Sequence, residues 1–245
     1  MNPRGIDGRS AEDVRKAALG RENFYAFLSR LYAREVDEEM LKTIIATQPT
    51  INFLASSQET QEFEKGNAIL QEFVSHAKTL KGKEIRNLIT DLRVEYAAMF
   101  LAVGKPLKFK GPLLTSESAY LGDHGASYYD KPFDVVKDTY SSAGFEKRKD
   151  FLEPEDHVAI ELEYMANLSR QTYVSLDERK PDSASGYLKL QKEFLRDHLL
   201  RWVPKLCEGM KDLAESKLYQ SLAFLTEGFI LMDEQVVDEL TKALR

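Results

Sequence analysis

Apolar residues recur at helical spacing along most of this chain. From residue 85 onward they are separated by three or four positions, the spacing that lines one face of an α-helix. This stripe consists of Ile85, Leu88, Ile89, Leu92, Tyr96, Met99, Phe100 and Val103. Further stripes cover 187–202, ending before Pro204, and 218–240, and weaker ones cover 11–34, 38–47 and 59–80. Strand-like alternation is scarce, so the pattern predicts an all-α fold of about nine to eleven helices.

One long stretch interrupts the helical pattern. Residues 104–125 contain four glycines and two prolines and show no sustained helical face. Loops of this length are uncommon inside a helical domain and are often functional. This loop also carries several large apolar residues, namely Leu107, Phe109, Leu113, Leu114, Tyr120 and Leu121. A plain linker has no use for so much apolar surface, so we expect the loop to pack within a single domain spanning residues 1–245.

Composition and charge narrow the function classes. The chain is 43% hydrophobic with a net charge of −6, which disfavours a general nucleic-acid binder and leaves room for a basic partner. Cys207 is its only cysteine, which excludes an internal disulfide and a cysteine-based zinc site. No secretory leader and no apolar run of membrane-spanning length is evident, so we expect a cytoplasmic protein without stable membrane insertion.

The chemically suggestive stretch is residues 153–157, Glu-Pro-Glu-Asp-His. Pro154 suits the first position of a helix, which would place Glu155 and Asp156 in a first turn that favours negative charge. Asp156 could then complete a capping box. The helix dipole would disfavour a charged imidazole there, so we expect a neutral His157. The residues alone leave open a helix cap, a polar pocket or a docking point for a cationic group.

Sequence motifs for catalysis are missing. Neither Glu-x-x-His nor His-Glu-x-x-His occurs, and there is no Gly-x-Ser-x-Gly elbow and no Walker loop. These absences disfavour a transition-metal site, nucleophilic catalysis and a phosphate-binding loop. A hard-cation site built from carboxylates stays open, and we name no catalytic residue, metal ligand or cofactor. Two alternatives remain: a helical hydrolase or metal enzyme that uses Asp156, His157 and nearby glutamates, and a structural adaptor in which the acids only cap a helix.

Four motifs in order give the chain a resemblance to a known family. They are an aromatic-x-x-Leu-Phe helix end at Tyr96–Phe100, Ser-x-Tyr-Leu at Ser118–Leu121, Glu-Pro-x-Asp-His at Glu153–His157, and a late helix from Phe194 through His198 to Pro204. Together they span about residues 85–205. The chain resembles the TorD/DmsD/NarJ family of redox-enzyme maturation chaperones, which implies a TorD-like helical fold and no enzymatic activity.

The resemblance also implies a partner and a site. Such chaperones bind the twin-arginine signal peptide, or the N-terminus, of a molybdenum oxidoreductase catalytic subunit, and hold it in the cytoplasm until its cofactor is inserted. The chaperones themselves are monomers or segment-exchanged homodimers. The peptide-binding positions carried over to this chain are Tyr96, Met99, Phe100, Ser118, Tyr120, Glu153, Asp156 and His157.

The chain departs from the family pattern at three places. Thr115-Ser116 stands where many relatives have Pro-Trp, which removes a large aromatic anchor from the predicted site. Met99 replaces the commoner leucine and keeps its volume while adding adaptability. The Gly-Pro pair of the loop comes late, at Gly111-Pro112.

Overall fold

The computed structural model describes residues 11–57, 60–103, 113–123 and 129–244, without the side chains of 53–57. These residues form ten α-helices, one π-helical turn and no named strand, which confirms the predicted all-α class. In chain order the helices are α1 (Ala11–Ala33), α2 (Glu38–Ser57), α3 (Gln61–Thr79), α4 (Lys83–Phe100), α5 (Ser118–Leu121), α6 (Lys131–Ser142), α7 (Val158–Asp177), α8 (Pro181–Phe194), α9 (Leu200–Leu213) and α10 (Lys217–Ala243). The π-helical turn, Leu195–Leu199, joins α8 to α9.

Proline does not end the helices where the sequence pattern placed their ends. Helix α2 continues past the predicted residue 47 and contains Pro49, and α9 contains Pro204. The expectation that the stripe over 187–202 stops before Pro204 was therefore wrong. Pro204 is the fifth residue of α9, so the hydrogen bond that a proline cannot donate would go to Leu200, the first residue of that helix.

By contacts between Cα atoms, the described residues divide into two compact units. The first unit lies within residues 1–33, 116–201 and 233–245, and the second within 34–115 and 202–232. The chain passes from one unit to the other within α9 and again within α10. The expectation of a single domain over residues 1–245 stays a prediction.

The first unit is built around α7, which packs against α1 and α8. Its core contains large apolar side chains that are fully buried, among them Tyr25, Leu28, Tyr164, Leu168 and Phe194. A buried ion pair also crosses this core, because the Arg21 guanidinium donates to both carboxylate oxygens of Asp233, at 2.6 and 2.8 Å. Burial of both charges requires this pairing, and the contact joins α1 to the last part of α10.

The second unit has an apolar core of its own. Its fully buried side chains include Phe63, Leu70, Leu92, Trp202 and Tyr219. Gly228 permits a close approach between helices, since a Cβ atom there would lie 2.4 Å from the backbone nitrogen of Phe63. Among the helices described in both units, none is long and apolar enough to cross a membrane.

Candidate functional site

The Glu-Pro-Glu-Asp-His stretch forms a tight turn ahead of α7, not the first turn of that helix. The backbone N–H of His157 donates to the Pro154 carbonyl at 3.1 Å, and α7 begins only at Val158. The prediction that Pro154 opens the helix, with Glu155 and Asp156 in its first turn, was therefore wrong. The helix start lies later because the His157 side chain caps it: Nδ1 accepts a hydrogen bond from the Ala159 N–H at 3.1 Å.

This capping contact determines the protonation state of the His157 imidazole. An Nδ1 atom that accepts a hydrogen bond carries no proton, so the ring is neutral. The His157 side chain is buried, and burial, with a smaller contribution from nearby Lys147, lowers its pKa from 6.5 to about 3. The expectation of a neutral His157 is confirmed, although the main cause is burial and not the helix dipole.

Asp156 connects the turn to the end of the long loop. Its backbone carbonyl accepts a hydrogen bond from the Glu117 N–H at 2.9 Å, and its carboxylate accepts one from the Ser118 N–H at 2.8 Å. Ser116 and His157 form an isolated antiparallel β-bridge beside these bonds. Residues 116–118 and the turn at 154–157 thus form one small framework, which we call the Asp156 framework.

A second buried contact attaches the Asp156 framework to the π-helical turn. Glu117 Oε2 lies 2.8 Å from His198 Nδ1, and both side chains are almost fully buried. The His198 ring also stacks on Phe194, with ring centroids 4.5 Å apart. π-Helical turns often occur at functional positions, and here the turn directs an imidazole at a carboxyl group.

The interior around the Asp156 framework is rich in acidic groups. Burial raises the pKa of the Asp156 carboxyl; hydrogen bonding from Ser118 opposes that shift, and nearby Glu117 adds to it. Glu161 on α7 is also fully buried. Burial, followed by the charges of Glu161, Asp156 and Glu117, holds the pKa of Tyr140 well above its usual value. Each of these shifts reflects the cost of an anion in an interior that water does not reach.

The structure places the predicted peptide-binding residues in different environments. Ser118, Asp156 and His157 come together in the Asp156 framework and are buried, so in this conformation their side chains do not present a charged surface. Glu153 is exposed and Tyr120 is partly buried, and both belong to the first unit.

The predicted aromatic helix end lies in the second unit. Tyr96 and Met99 are buried and Phe100 is partly buried, at the end of α4. The Tyr96 and Phe100 rings meet edge to face at 5.0 Å. The Met99 carbonyl accepts a hydrogen bond from Leu113 N–H at 2.8 Å. A peptide-binding role for Tyr96, Met99 and Phe100 stays a prediction.

The expectation that the long loop packs holds for its described part. Ser116, Glu117 and Ser118 are buried, and α5 is only one turn long. Residues 104–112, with the late Gly111-Pro112 pair, and 124–128 lie outside the described residues. Ser116, where many relatives have tryptophan, is fully buried in the bridge to His157, so a large ring there would require the framework to rearrange.

Sequence reasoning missed two members of the site, Glu117 and His198. Glu117 directly precedes the Ser-x-Tyr-Leu motif at Ser118–Leu121, and His198 lies within the late-helix motif. What identifies them is their mutual contact across 81 residues of sequence, which no local pattern reports.

The hydrogen bonds of Asp156 and His157 also bear on the alternative that these side chains belong to a hydrolase or a metal enzyme. His157 Nδ1 is occupied by the helix cap, and an oxygen of Asp156 is occupied by the Ser118 N–H. Within the described ranges, no group of three or more His, Cys, Asp or Glu side chains is placed to hold a metal ion. Both side chains are therefore engaged in holding the backbone.

These features define an all-helical protein whose candidate site, in the part described, is a buried framework that shapes a loop. The family model named "Nitrate reductase delta subunit" matches residues 58–208, which is more than half of the chain. The chain therefore belongs to the nitrate reductase delta subunit family, and its resemblance to the TorD/DmsD/NarJ chaperones is confirmed.

Curated relatives are similar over nearly their full length. A protein named "Chaperone protein TorD" from Photobacterium profundum is 29% identical over 213 residues, covering 87% of this chain and 92% of the relative. Proteins of the same name from Vibrio parahaemolyticus and from Vibrio cholerae (strain ATCC 39315) are 26% and 24% identical, covering 91% and 90% of this chain and 96% and 93% of theirs. The family model and these relatives therefore place the chain in the same family of chaperones.

Proposed function

We propose that this protein is a cytoplasmic molecular chaperone for the assembly of a molybdenum-containing oxidoreductase. It binds the twin-arginine signal peptide or N-terminus of the precursor, holds it until cofactor insertion, and catalyses no reaction. The observation that carries this proposal is the similarity to proteins named as TorD chaperones, which extends over about nine-tenths of both chains.

The Asp156 framework supports a positioning role for the family motif. Asp156 and His157 are buried, so they act on a bound peptide through the backbone they hold, chiefly residues 116–118. Exposed Glu153 at the start of the turn and partly buried Tyr120 on α5 are the groups able to meet a peptide directly. A carboxylate suits a guanidinium group, and an aromatic ring suits the apolar part of a leader.

Titration of the full-length protein with a synthetic twin-arginine leader, followed by calorimetry, tests the proposal. We expect saturable binding that falls when both arginines are replaced by lysine, because only guanidinium groups form forked hydrogen bonds with carboxylates. The Glu153→Gln variant should weaken binding about five- to a hundred-fold, the equivalent of roughly 1–3 kcal/mol.

A matched control separates local contact from overall charge. Glu178→Gln removes one exposed carboxylate just beyond the opposite end of α7 and should leave the affinity unchanged. Absence of binding to any twin-arginine leader would overturn signal-peptide recognition. An equal loss in both variants would remove Glu153 from the site.

A further inference from the structure

The first unit contains a surface pocket beside the Asp156 framework. It has a volume of about 420 Å³ and lies between α6 and the segment 145–155. From α6 it is lined by Lys137, Tyr140 and Ser141, and the remaining lining residues all come from that segment. None of the predicted peptide-binding residues lines this pocket.

One part of the pocket is apolar. The Tyr140 and Phe145 rings pack edge to face at 5.0 Å, and Phe151 meets His157 in the same way at 5.5 Å. Leu152 is 89% exposed at this place. A leucine so exposed next to aromatic lining offers apolar contact area that a bound side chain would cover.

The other part of the pocket is cationic. Four lining residues are basic and two are acidic, in a chain whose net charge is −6. Lys147 lies 3.7 Å from Glu155, and Arg148 lies 2.6 Å from Asp150, so these two cations are already paired.

The remaining two cations, Lys137 and Lys149, are exposed. Among the described side chains neither takes part in an ion pair, and the Lys137 Nζ atom lies 6.0 Å from the centroid of the Phe133 ring. The pocket therefore presents two available ammonium groups next to an exposed leucine and an aromatic surface, and this combination favours a ligand that is both anionic and apolar.

We propose that this pocket binds an acidic segment of a partner protein, with one apolar side chain against Phe145 and Leu152 and carboxylates at Lys137 and Lys149. An extended peptide fits because it carries apolar and acidic groups within a few residues of each other. The proposal is independent of leader binding, since the charge it selects is opposite to that of a twin-arginine motif.

Calorimetric titration of the full-length protein with the capped hexapeptide Glu-Asp-Leu-Phe-Asp-Glu tests the pocket. We expect a dissociation constant in the micromolar range. The double variant Lys137→Glu/Lys149→Glu should weaken binding by about tenfold or more, because each substitution turns attraction into repulsion. Leu152→Ser should weaken it about fivefold through the lost apolar contact. All three side chains are exposed, so the fold is expected to survive, and circular dichroism checks this.

The control is Lys189→Glu on α8, a 74% exposed lysine outside the pocket, which should change the affinity by less than about twofold. No binding at millimolar peptide, or an equal loss in the control, would overturn the proposal. So would undiminished binding of the amide analogue Gln-Asn-Leu-Phe-Asn-Gln. Binding of inorganic phosphate with the same lysine dependence and no effect of Leu152→Ser would show a simple anion site and overturn the peptide assignment.

Discussion

Glu117 Oε2 and His198 Nδ1 lie 2.8 Å apart in the interior of the first unit, although 81 residues separate them in sequence. The contact joins the end of the long loop to the π-helical turn between α8 and α9. Because Glu117 also donates its backbone N–H to Asp156, the two contacts together hold the loop end against the turn at 154–157. The loop end held in this way includes Ser118, the first residue of the Ser-x-Tyr-Leu motif.

Removal of either the Glu117 or the His198 side chain should destabilise the folded protein. His198→Ala leaves the buried Glu117 carboxyl without its hydrogen-bond partner and should lower the free energy of unfolding by about 1–3 kcal/mol. Glu117→Gln keeps the volume and an acceptor oxygen, so its effect should be smaller. Denaturant unfolding of both single variants and of the double variant measures the coupling between them. Strictly additive effects would show that the two side chains do not interact.

Acid should destabilise the protein through His157. Its folded-state pKa of about 3 lies below the unfolded value of 6.5, so its contribution is complete above pH 6.5. That contribution is lost as the pH falls toward 3, because the unfolded chain takes up the proton first. The loss amounts to roughly 5 kcal/mol over this range.

The matched variant for this prediction is His157→Asn. Asparagine can cap α7 through its side-chain oxygen but does not titrate. We expect its unfolding free energy to depend less steeply on pH than that of the wild type between pH 6.5 and 4. Urea unfolding at several pH values measures this dependence. If the unfolding free energies of variant and wild type changed equally with pH, the result would contradict a buried, neutral His157.

The contribution of Asp156 to stability should change with pH in the opposite direction to that of His157. Burial raises its pKa, so the stability it contributes is present below the unfolded pKa and is lost as the pH rises through the folded pKa. Asp156→Asn retains an acceptor for the Ser118 N–H without the buried charge. The stability of this variant relative to wild type should therefore increase from acid to neutral pH.

Alanine at the same position isolates the hydrogen bond. Asp156→Ala leaves the buried Ser118 N–H without its acceptor, so it should be less stable than Asp156→Asn by about 1–3 kcal/mol. Thermal unfolding at pH 5 and pH 8 measures both effects. Equal stability of the alanine and asparagine variants would mean that this hydrogen bond does not hold the loop end.

The helices could be read from the sequence, but the Asp156 framework could not. Stripes such as the one from Ile85 to Val103 report burial on one face of a single helix, which is a local property. The pairing of Ser116 with His157 joins two irregular segments and leaves no periodic trace. Histidine is also an unusual helix cap, so the capping rules directed attention to Pro154 and Asp156 instead.

The family motif directed attention to residues 153–157, but a motif does not show how deeply each of its side chains is buried. The resemblance names Asp156 and His157 as peptide-binding positions, and in the structure both side chains are buried beneath the backbone they hold. Glu153, three residues before Asp156, is exposed. Burial of this kind depends on which segments fold over the turn, and those segments come from residues 116–118 and from the π-helical turn.

Capture of the client from its native lysate is the measurement that bears most directly on the chaperone assignment. The full-length protein serves as bait, and mass spectrometry identifies what it retains, including the N-terminal peptide of each captured protein. The assignment predicts the precursor of a molybdenum oxidoreductase catalytic subunit with its N-terminal segment intact. Recovery of no such precursor, under conditions in which the precursor is detected in the lysate, would contradict it.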